Sequence, residues 1–307
     1  MTEHDVRRLP ELGRVGVWTN GTAWQSPARN AELAVEVEEL GYGAVWLSEG
    51  VTRDPFLDAD TMLRATSRLT LATGIAVLAL RQPWAVNTLT ARLADAHPDR
   101  FLLGLGTSNP ALVQDLLGLP FDRPLATMRD YLTGLDQARA TTVAMGLEPA
   151  APRQPRVLAA LGPKMLALAG SHAEGAHSYL VPPEHTELAR RTLGPGPLVV
   201  PEQAVVLSTD PEVVRRRARA HVASYLARPA YPANWIRLGF TEDDLVDGGS
   251  DRLVDAVVVG GDAETIRARV RAHLDAGADH VCIQALGDDP TAIDVDQWRA
   301  LAPALLS

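Results

Sequence analysis

Short runs of β-forming residues alternate with longer helical patterns along the whole chain. In residues 28–40, apolar side chains at 33, 34, 37 and 40 recur at helical spacing, and Gly41 then ends the helix. Eight β-type runs occur, at 14–18, 44–47, within 69–80, and at 101–105, 156–160, 175–180, 203–208 and 280–285. Such alternation is typical of parallel strands joined by crossover helices, and eight units close into a barrel. We therefore predict an α/β fold, a (β/α)8 TIM barrel that spans residues 1–307 as a single domain.

The alternative fold is a doubly wound open sheet. Against it, no Gly-x-Gly-x-x-Gly follows the first strand, and GLGTSN at 104–109 follows the fourth strand and matches that motif poorly. Residues 232–247 predict a short helical insertion before the last βα unit.

Composition limits the classes of partner. With 38 acidic and 29 basic residues, the formal net charge of −9 argues against nucleic acid or an anionic membrane as partner. The N-terminal residues hold no signal-peptide core, and the apolar stretch 69–80 is too short to span a bilayer, so we expect a cytoplasmic protein. The single cysteine, Cys282, excludes an intramolecular disulfide and a metal site built on paired cysteines, and we expect no metal.

In a TIM barrel, functional side chains lie where strands end, at one mouth, and residues that precede strands lie on the opposite, stabilising face. His97, Asp99 and Arg100 precede the fourth strand, so we expect them to be structural. Polar or flexible residues that follow or end the predicted strands are Thr19, Asn20, Ser48, Glu49, Thr73, Gly74, Thr107, Ser108, Asn109, Gly162, Pro163, Lys164, Met165, His177, Tyr179 and Gln284.

The sequence Gly162-Pro163-Lys164 follows a strand and opens a helix. Free backbone amides at the helix start, the helix dipole and a lysine together form an anion site. The alternative is an ordinary βα turn with a solvated lysine.

Several motifs, in this order and spacing, resemble the luciferase-like monooxygenase superfamily, in its coenzyme F420-dependent oxidoreductase branch. They are GYGAVWLSE (41–49), LTLATGIAVL (69–78), RQPWAVNTLTARLADAHPDRFLLGLGTS (81–108), LAALGPKMLALAGSHAEGA (158–176) and GDAETIRARVRAHLDAGADHVCI (261–283). The family's SGGRF or SDGRF segment is HPDRF here, a departure on the stabilising face.

The resemblance implies a flavin-like cofactor at the mouth, coenzyme F420, with FMN as the alternative. It implies a non-prolyl cis peptide at Gly74–Ile75, or else at Thr73–Gly74, behind the cofactor ring. The expected cofactor-binding residues are Ser48, Thr73, Gly74, Ile75, Thr107, Ser108, Asn109 and, for the phosphate, Gly162, Pro163, Lys164, Met165, Gly175 and Ala176.

Glu49 is the main candidate for a proton donor, because burial at the mouth would raise its pKa. The alternative is that Glu49 only hydrogen-bonds the cofactor or a loop amide. His177 and Tyr179 are the second candidates. Apolar walls with few polar groups are typical of small-molecule pockets, and the expected substrate-pocket residues are Trp18, Asn20, Trp24, Trp84 and Tyr179.

Three functions follow from this interpretation. The first is an F420-dependent oxidoreductase that transfers a hydride between the deazaflavin C5 and a small organic substrate. The second is an FMN-dependent monooxygenase, and the third is a cofactor-free barrel with a non-redox binding role. The resemblance also implies a homodimer, for which the helix at 87–96 offers an apolar face.

Overall fold

Strands and helices alternate as the sequence predicts. The computed structural model describes residues 6–51, 54–146 and 152–307, so the predicted single domain and the predicted N-terminal segment extend in part outside the described residues. The strands are β1 (Val15–Thr19), β2 (Ala44–Leu47), β3 (Thr70–Thr73), β4 (Ala76–Val77), β5 (Phe101–Gly106), β6 (Arg156–Ala159), β7 (Gly175–Ser178), β8 (Leu198–Leu207), β9 (Val258–Gly261) and β10 (Val281–Ala285).

Eight of these strands close into a ring of parallel neighbours. The order is β1-β2-β3-β5-β6-β7-β8-β10, and β10 pairs with β1, which closes the barrel. The short β4 continues the third strand and pairs with β5, and β9 pairs with β8 beyond the ring. The predicted TIM barrel is therefore confirmed.

The helices that cover the barrel begin at residues suited to a helix start. Each of the first seven begins with proline, whose missing N–H group costs nothing in the first turn. Ser26, Asp54 and Asp210 cap three of them by accepting backbone N–H groups. The helices are α1 (Pro27–Leu40), α2 (Pro55–Ala65), α3 (Pro83–Ala96), α4 (Pro124–Ala144), α5 (Pro163–His172), α6 (Pro183–Leu193), α7 (Pro211–Leu226), α8 (Ala230–Arg237), α9 (Asp251–Val257), α10 (Ala263–Asp275) and α11 (Val295–Leu305).

Aromatic side chains fill the lower barrel. Trp46 of β2 stacks on His177 of β7, with ring centroids 4.7 Å apart, and its Nε1 donates to Nε2 of His280 at 3.1 Å. Because β2 and β7 are not neighbours, this contact crosses the interior. Burial lowers the pKa of both histidines to about 4, so the rings are neutral at pH 7. Gly16 leaves room for this group, since a Cβ built there would lie 2.8 Å from the His280 ring.

An insertion between β8 and α10 packs as a separate layer. The sequence predicts its irregular helical part at 232–247, and the structure adds α9 and β9, which the sequence analysis did not identify. The reason is that one valine-rich run, 254–259, is divided between a helix and a strand. Trp235 is fully buried in this layer, which packs on Ala204 and Val206 of β8.

The residues that precede the fourth barrel strand are structural, as predicted. Arg100 donates hydrogen bonds to the backbone carbonyls of Leu63, Thr66 and Leu69, and so binds the end of α2 to the barrel. His97 Nε2 lies 2.9 Å from Asp60 Oδ1. All these contacts lie at the amino-terminal ends of the strands.

Candidate functional site

A buried ion pair lies where β2 and the third strand end. Glu49 follows β2, and its carboxylate accepts a hydrogen bond of 2.6 Å from the Val77 backbone and another from the Arg81 guanidinium. Arg81 also donates to Asp54 at 2.8 Å. Burial raises the pKa of Glu49, while the Val77 N–H and Arg81 oppose that rise. Glu49 therefore has the loop-amide partner that the sequence analysis gave as its alternative role, together with a cation that the sequence analysis missed.

A bulge interrupts the third strand between β3 and β4. The peptide bond Gly74–Ile75 is cis, as the resemblance implied. Trp18 Nε1 donates a 2.8 Å hydrogen bond to the Gly74 carbonyl. A Cβ built on Gly106 of β5 would lie 2.5 Å from Ile75 Cδ1, so only glycine at 106 leaves Ile75 in this position. Ile75 is partly exposed at the mouth.

Thr73, expected to bind cofactor, uses its hydroxyl inside the barrel wall. The hydroxyl donates to the Gly104 carbonyl at 2.7 Å and accepts from the Gly104 N–H at 2.8 Å. The side chain thus joins β3 to β5 below the bulge.

The loop after β5 is partly exposed at the mouth. It carries Thr107, Ser108 and Asn109, and Ser108 has a positive φ of 64°. Asn109 Oδ1 accepts the Leu112 N–H at 3.2 Å, so this side chain shapes the short helix that follows. The Ser108 hydroxyl accepts a hydrogen bond of 3.4 Å from the Asn109 amide nitrogen, and Thr107 is partly exposed beside it.

Cationic groups meet at the start of α5. Lys164, the only lysine among the 307 residues, is exposed in the first turn of this helix. Arg237, at the end of α8 in the insertion, approaches the same place, because a Cβ built on Gly162 would lie 3.5 Å from Arg237 Nη2. Within the described residues Arg237 has no carboxylate partner, and its one hydrogen bond is to Asn234 Oδ1 at 3.3 Å. Met165 is partly buried behind this helix start, next to the exposed Pro163.

The structure does not bring Gly175 and Ala176 to this group. Both lie at the amino-terminal end of β7, opposite the mouth, where a Cβ on Gly175 would lie 2.2 Å from the Leu198 carbonyl oxygen. The expectation that Gly175 and Ala176 lie beside Gly162 and Lys164 is therefore corrected, because the end of β7 at Ser178 faces the mouth and its start does not.

Tyr179 lies at the mouth, and His177 does not. The Tyr179 hydroxyl donates to Gln284 Oε1 at 2.6 Å and accepts from the Tyr225 hydroxyl at 2.9 Å. His177 is buried in the barrel floor, and its Nδ1 is bonded to the Val200 carbonyl at 2.8 Å. This neutral, enclosed ring is not positioned to give a proton to a ligand at the mouth.

The other expected pocket residues lie around the rim. Trp24 and Trp84 are 53% and 50% exposed, near the starts of α1 and α3. Asn20 and Ser48 are partly exposed directly after β1 and β2. Ser48 donates its backbone N–H to the Thr19 carbonyl at 3.1 Å, which joins the two strand ends.

A buried carboxyl group below the mouth was missed by the sequence analysis. Glu202 of β8 is fully buried, and burial raises its pKa to about 8. Its Oε2 accepts a 2.9 Å hydrogen bond from the Leu180 N–H, and Leu180 has a positive φ of 53°. Oε1 has no partner among the described residues. Glu202 therefore holds the turn that follows Tyr179.

Two absences apply to the described ranges 6–51, 54–146 and 152–307. None of their helices combines the length and apolar character needed to cross a bilayer. No group of three or more His, Cys, Asp or Glu side chains in them is arranged to hold a metal ion.

Known proteins are similar to this chain in sequence or in fold. A protein of Mycobacterium tuberculosis, provisionally named a coenzyme F420-dependent oxidoreductase, is 25% identical over 335 aligned residues that cover 91% of this chain and 94% of that protein. An F420-dependent secondary alcohol dehydrogenase, solved with an F420–acetone adduct, matches with a TM-score of 0.69 at 14% identity and covers 97% of this chain and 99% of that chain.

A monooxygenase solved with FMN has the same fold. The oxygenating constituent of 3,6-diketocamphane monooxygenase from Pseudomonas putida, in complex with FMN, matches with a TM-score of 0.65 at 17% identity, over 94% of this chain and 95% of that chain. The family model described as luciferase-like monooxygenase matches residues 11–280. The chain therefore belongs to the luciferase-like monooxygenase family.

Proposed function

We propose that this protein is an oxidoreductase that uses coenzyme F420 to transfer a hydride to or from a small organic molecule, with residues 1–307 acting as one barrel domain. One observation carries the proposal: the bulge at Gly74–Ile75 and the cationic corner at Gly162, Lys164 and Arg237 open on the same barrel mouth. The mycobacterial relative, which is named for F420 and aligned over nearly its whole length, supports F420 over FMN.

The residues at the mouth fit a long cofactor with one flat end and one anionic end. Gly162, Lys164 and Arg237 would hold the anionic end through helix amides and two cations. Ile75, with Gly106 beneath it, offers an apolar support for the flat end. The side chains of Ser48, Thr107, Ser108 and Asn109 would line the part between them.

When bound, F420 supplies the carbon that carries the hydride, so the protein has to bind, orient and exclude water. Glu49 sits in a buried ion pair that fixes the loop after β4, and in this role it positions the bulge. Proton donation by Glu49 stays the alternative, because burial raises its pKa. The homodimer through residues 87–96 also stays a prediction.

Titration of the full chain with F420 and with FMN, followed by cofactor fluorescence, tests the proposal. We expect F420 to bind and FMN to bind at least about 10-fold more weakly, and Lys164→Ala and Arg237→Ala each to weaken F420 binding by about 10-fold, as for one charged hydrogen bond. Tight FMN binding without F420 binding would replace the proposal by a monooxygenase. Binding of neither would favour a cofactor-free barrel.

Since Lys164 is the only lysine, a second readout is available. An amine-acylating reagent can modify only Lys164 and the amino terminus, and both sites can be followed by mass spectrometry. We expect F420 to protect Lys164 and to leave the amino terminus equally reactive. Equal reactivity of Lys164 with and without F420 would remove this residue from the site.

A further inference from the structure

Five aromatic side chains, four of them partly exposed and Trp18 buried, form one side of the mouth. We define the aromatic wall as Trp18, Tyr179, His221, Tyr225 and Tyr231. Tyr179 lies at the centre, with ring-centroid distances of 5.0 Å to Trp18, 5.2 Å to Tyr225 and 6.3 Å to Tyr231. Two of the five come from the barrel and three from α7 and α8. Aromatic rings at these separations attract a further flat ring through edge and face contacts.

The aromatic wall adjoins the bulge. Trp18 contacts Tyr179 on one side and donates its Nε1–H to the Gly74 carbonyl at 2.8 Å on the other. A flat molecule on the wall would therefore lie beside a ring held at Ile75. With the cofactor placed as we propose, the wall lies where an organic substrate would approach it.

The hydrogen bonds of the wall run in one direction. Tyr225 donates to the Tyr179 hydroxyl at 2.9 Å, and Tyr179 donates to Gln284 Oε1 at 2.6 Å. His221 Nε2 lies 3.4 Å from the same Tyr179 hydroxyl. The carbonyl of Gln284 is thus occupied, whereas its amide nitrogen donates no hydrogen bond to any described residue. That nitrogen is a donor available to a ligand.

The wall itself carries no charge at neutral pH. Burial lowers the pKa of His221 to about 4 and raises the pKa values of Tyr179 and Tyr231. The charged or ionisable groups nearby are Arg228, 4.2 Å from the Tyr225 ring, and Glu202 below the wall, whose pKa is raised to about 8. An ionised ligand would lose its hydration here without gaining a partner on the wall.

We propose that the aromatic wall binds the flat, uncharged ring of an aromatic ketone or aldehyde, and that the Gln284 amide nitrogen donates a hydrogen bond to its carbonyl oxygen. The inference rests on the proposed function, for which it names the substrate class. The wall supplies affinity for the ring, and Gln284 sets the direction of the carbonyl. Gln284 is thus a substrate-binding residue.

Four probes of similar size test this on the full chain, with and without saturating F420, by isothermal titration calorimetry. They are acetophenone, benzoate, cyclohexyl methyl ketone and ethylbenzene. We expect acetophenone to bind at least about 10-fold more tightly than benzoate, because the charged carboxylate of benzoate loses its hydration on binding. We expect acetophenone to bind several-fold more tightly than cyclohexyl methyl ketone, which lacks the flat ring.

Two variants separate the ring contact from the carbonyl contact. Gln284→Leu is expected to weaken the binding of acetophenone by about 5- to 10-fold and to leave the binding of ethylbenzene unchanged, because only acetophenone has a hydrogen-bond acceptor. Tyr231→Ala, at a partly exposed position, is expected to remove the preference for aromatic over cyclohexyl ketone. Tyr42→Phe is the matched control, since the Tyr42 hydroxyl is buried against the Trp298 carbonyl, outside the wall.

Benzoate binding as tight as acetophenone, or equal loss of acetophenone and ethylbenzene in Gln284→Leu, would overturn the inference. If F420 binds but the aromatic ketone is not preferred, the wall is not the substrate site and the proposed function stands. If the aromatic ketone is preferred but F420 does not bind, the wall remains a ligand site and the proposed function is rejected.

Discussion

Glu49 and Arg81 form an ion pair in which the carboxylate side chain is fully buried and the guanidinium is 15% exposed. The pair joins the end of β2 to the segment after β4, on either side of the Gly74–Ile75 bulge. It is the most enclosed ion pair at the mouth among the described residues. Removing one partner of a buried pair is costly because the other charge loses compensation, and without Glu49 the Arg81 guanidinium would keep only Asp54, whose side chain is 31% exposed.

Glu49→Gln is expected to lower the free energy of unfolding by about 2 kcal/mol, since Arg81 loses its buried partner and keeps Asp54, while the amide still accepts the Val77 N–H. Urea unfolding at pH 7 measures this. Glu187→Gln is the control, because its pair with Arg191 on α6 is exposed, and we expect a change of less than about 1 kcal/mol. Glu49→Gln also tests catalysis. Loss of turnover at unchanged F420 affinity would identify Glu49 as a proton donor, whereas loss of both turnover and F420 affinity would identify it as a positioning residue.

Gly106→Ala is expected to weaken F420 binding more than it weakens the fold. The new Cβ would lie 2.5 Å from Ile75 Cδ1, the movable end of a side chain, so Ile75 would shift into the space above it. We expect at least about 10-fold weaker binding, with a loss of stability of about 1–3 kcal/mol from overpacking. Cofactor titration and thermal unfolding measure the two effects. Gly196→Ala, with no atom within 4 Å of its Cβ, should change neither.

Glu202 makes the stability of the fold depend on pH. Its folded pKa of about 8 lies above the ordinary value of 4.5, so between these values the folded chain keeps a proton that the unfolded chain releases. Stability from this group therefore falls as the pH rises through this window, by up to about 1.4 kcal/mol per pH unit. Glu202→Gln should remove that slope and be more stable than wild type at pH 8. Urea unfolding at pH 5, 6.5 and 8 would show parallel curves for the two proteins if this assignment were wrong.

Asp288 ties the insertion to the loop after β10. Arg217 and Arg216 of α7 both donate to its carboxylate, and these hydrogen bonds lower the pKa of Asp288. Asp288→Asn is expected to speed amide hydrogen exchange in α7 several-fold, because the aromatic wall then loses an anchor at its outer edge. Glu264→Gln, which breaks an exposed pair with Arg267 within α10, is the control. Unchanged exchange in α7 would mean that packing alone holds the insertion.

The barrel itself follows from local patterns in the sequence. Strand runs, prolines at helix starts and the rule that strand ends meet at one mouth were enough to separate Glu49 from Arg100. The expectation for Gly175 and Ala176 came from the family resemblance instead, and it placed both residues at the mouth although they begin their strand. The end of the strand at which a residue lies decides whether that residue reaches the mouth.

The cation partners could not be predicted in the same way. Arg81 lies 32 positions from Glu49, and only the adjacency of the second and third strands brings them together. Arg237 comes from an insertion whose path over the barrel depends on a small core around Trp235, which no periodicity reveals. Tyr225 and Tyr231 reach Tyr179 by the same path.

The Trp46, His177 and His280 stack has one consequence for how ligands are exchanged. The stack closes the barrel axis on the amino-terminal side with neutral rings, so we expect ligands to enter and leave by the mouth. A ligand that binds second would then cover the ligand that bound first. We therefore expect ordered exchange, in which the ligand nearer the barrel axis leaves only after the outer ligand has left.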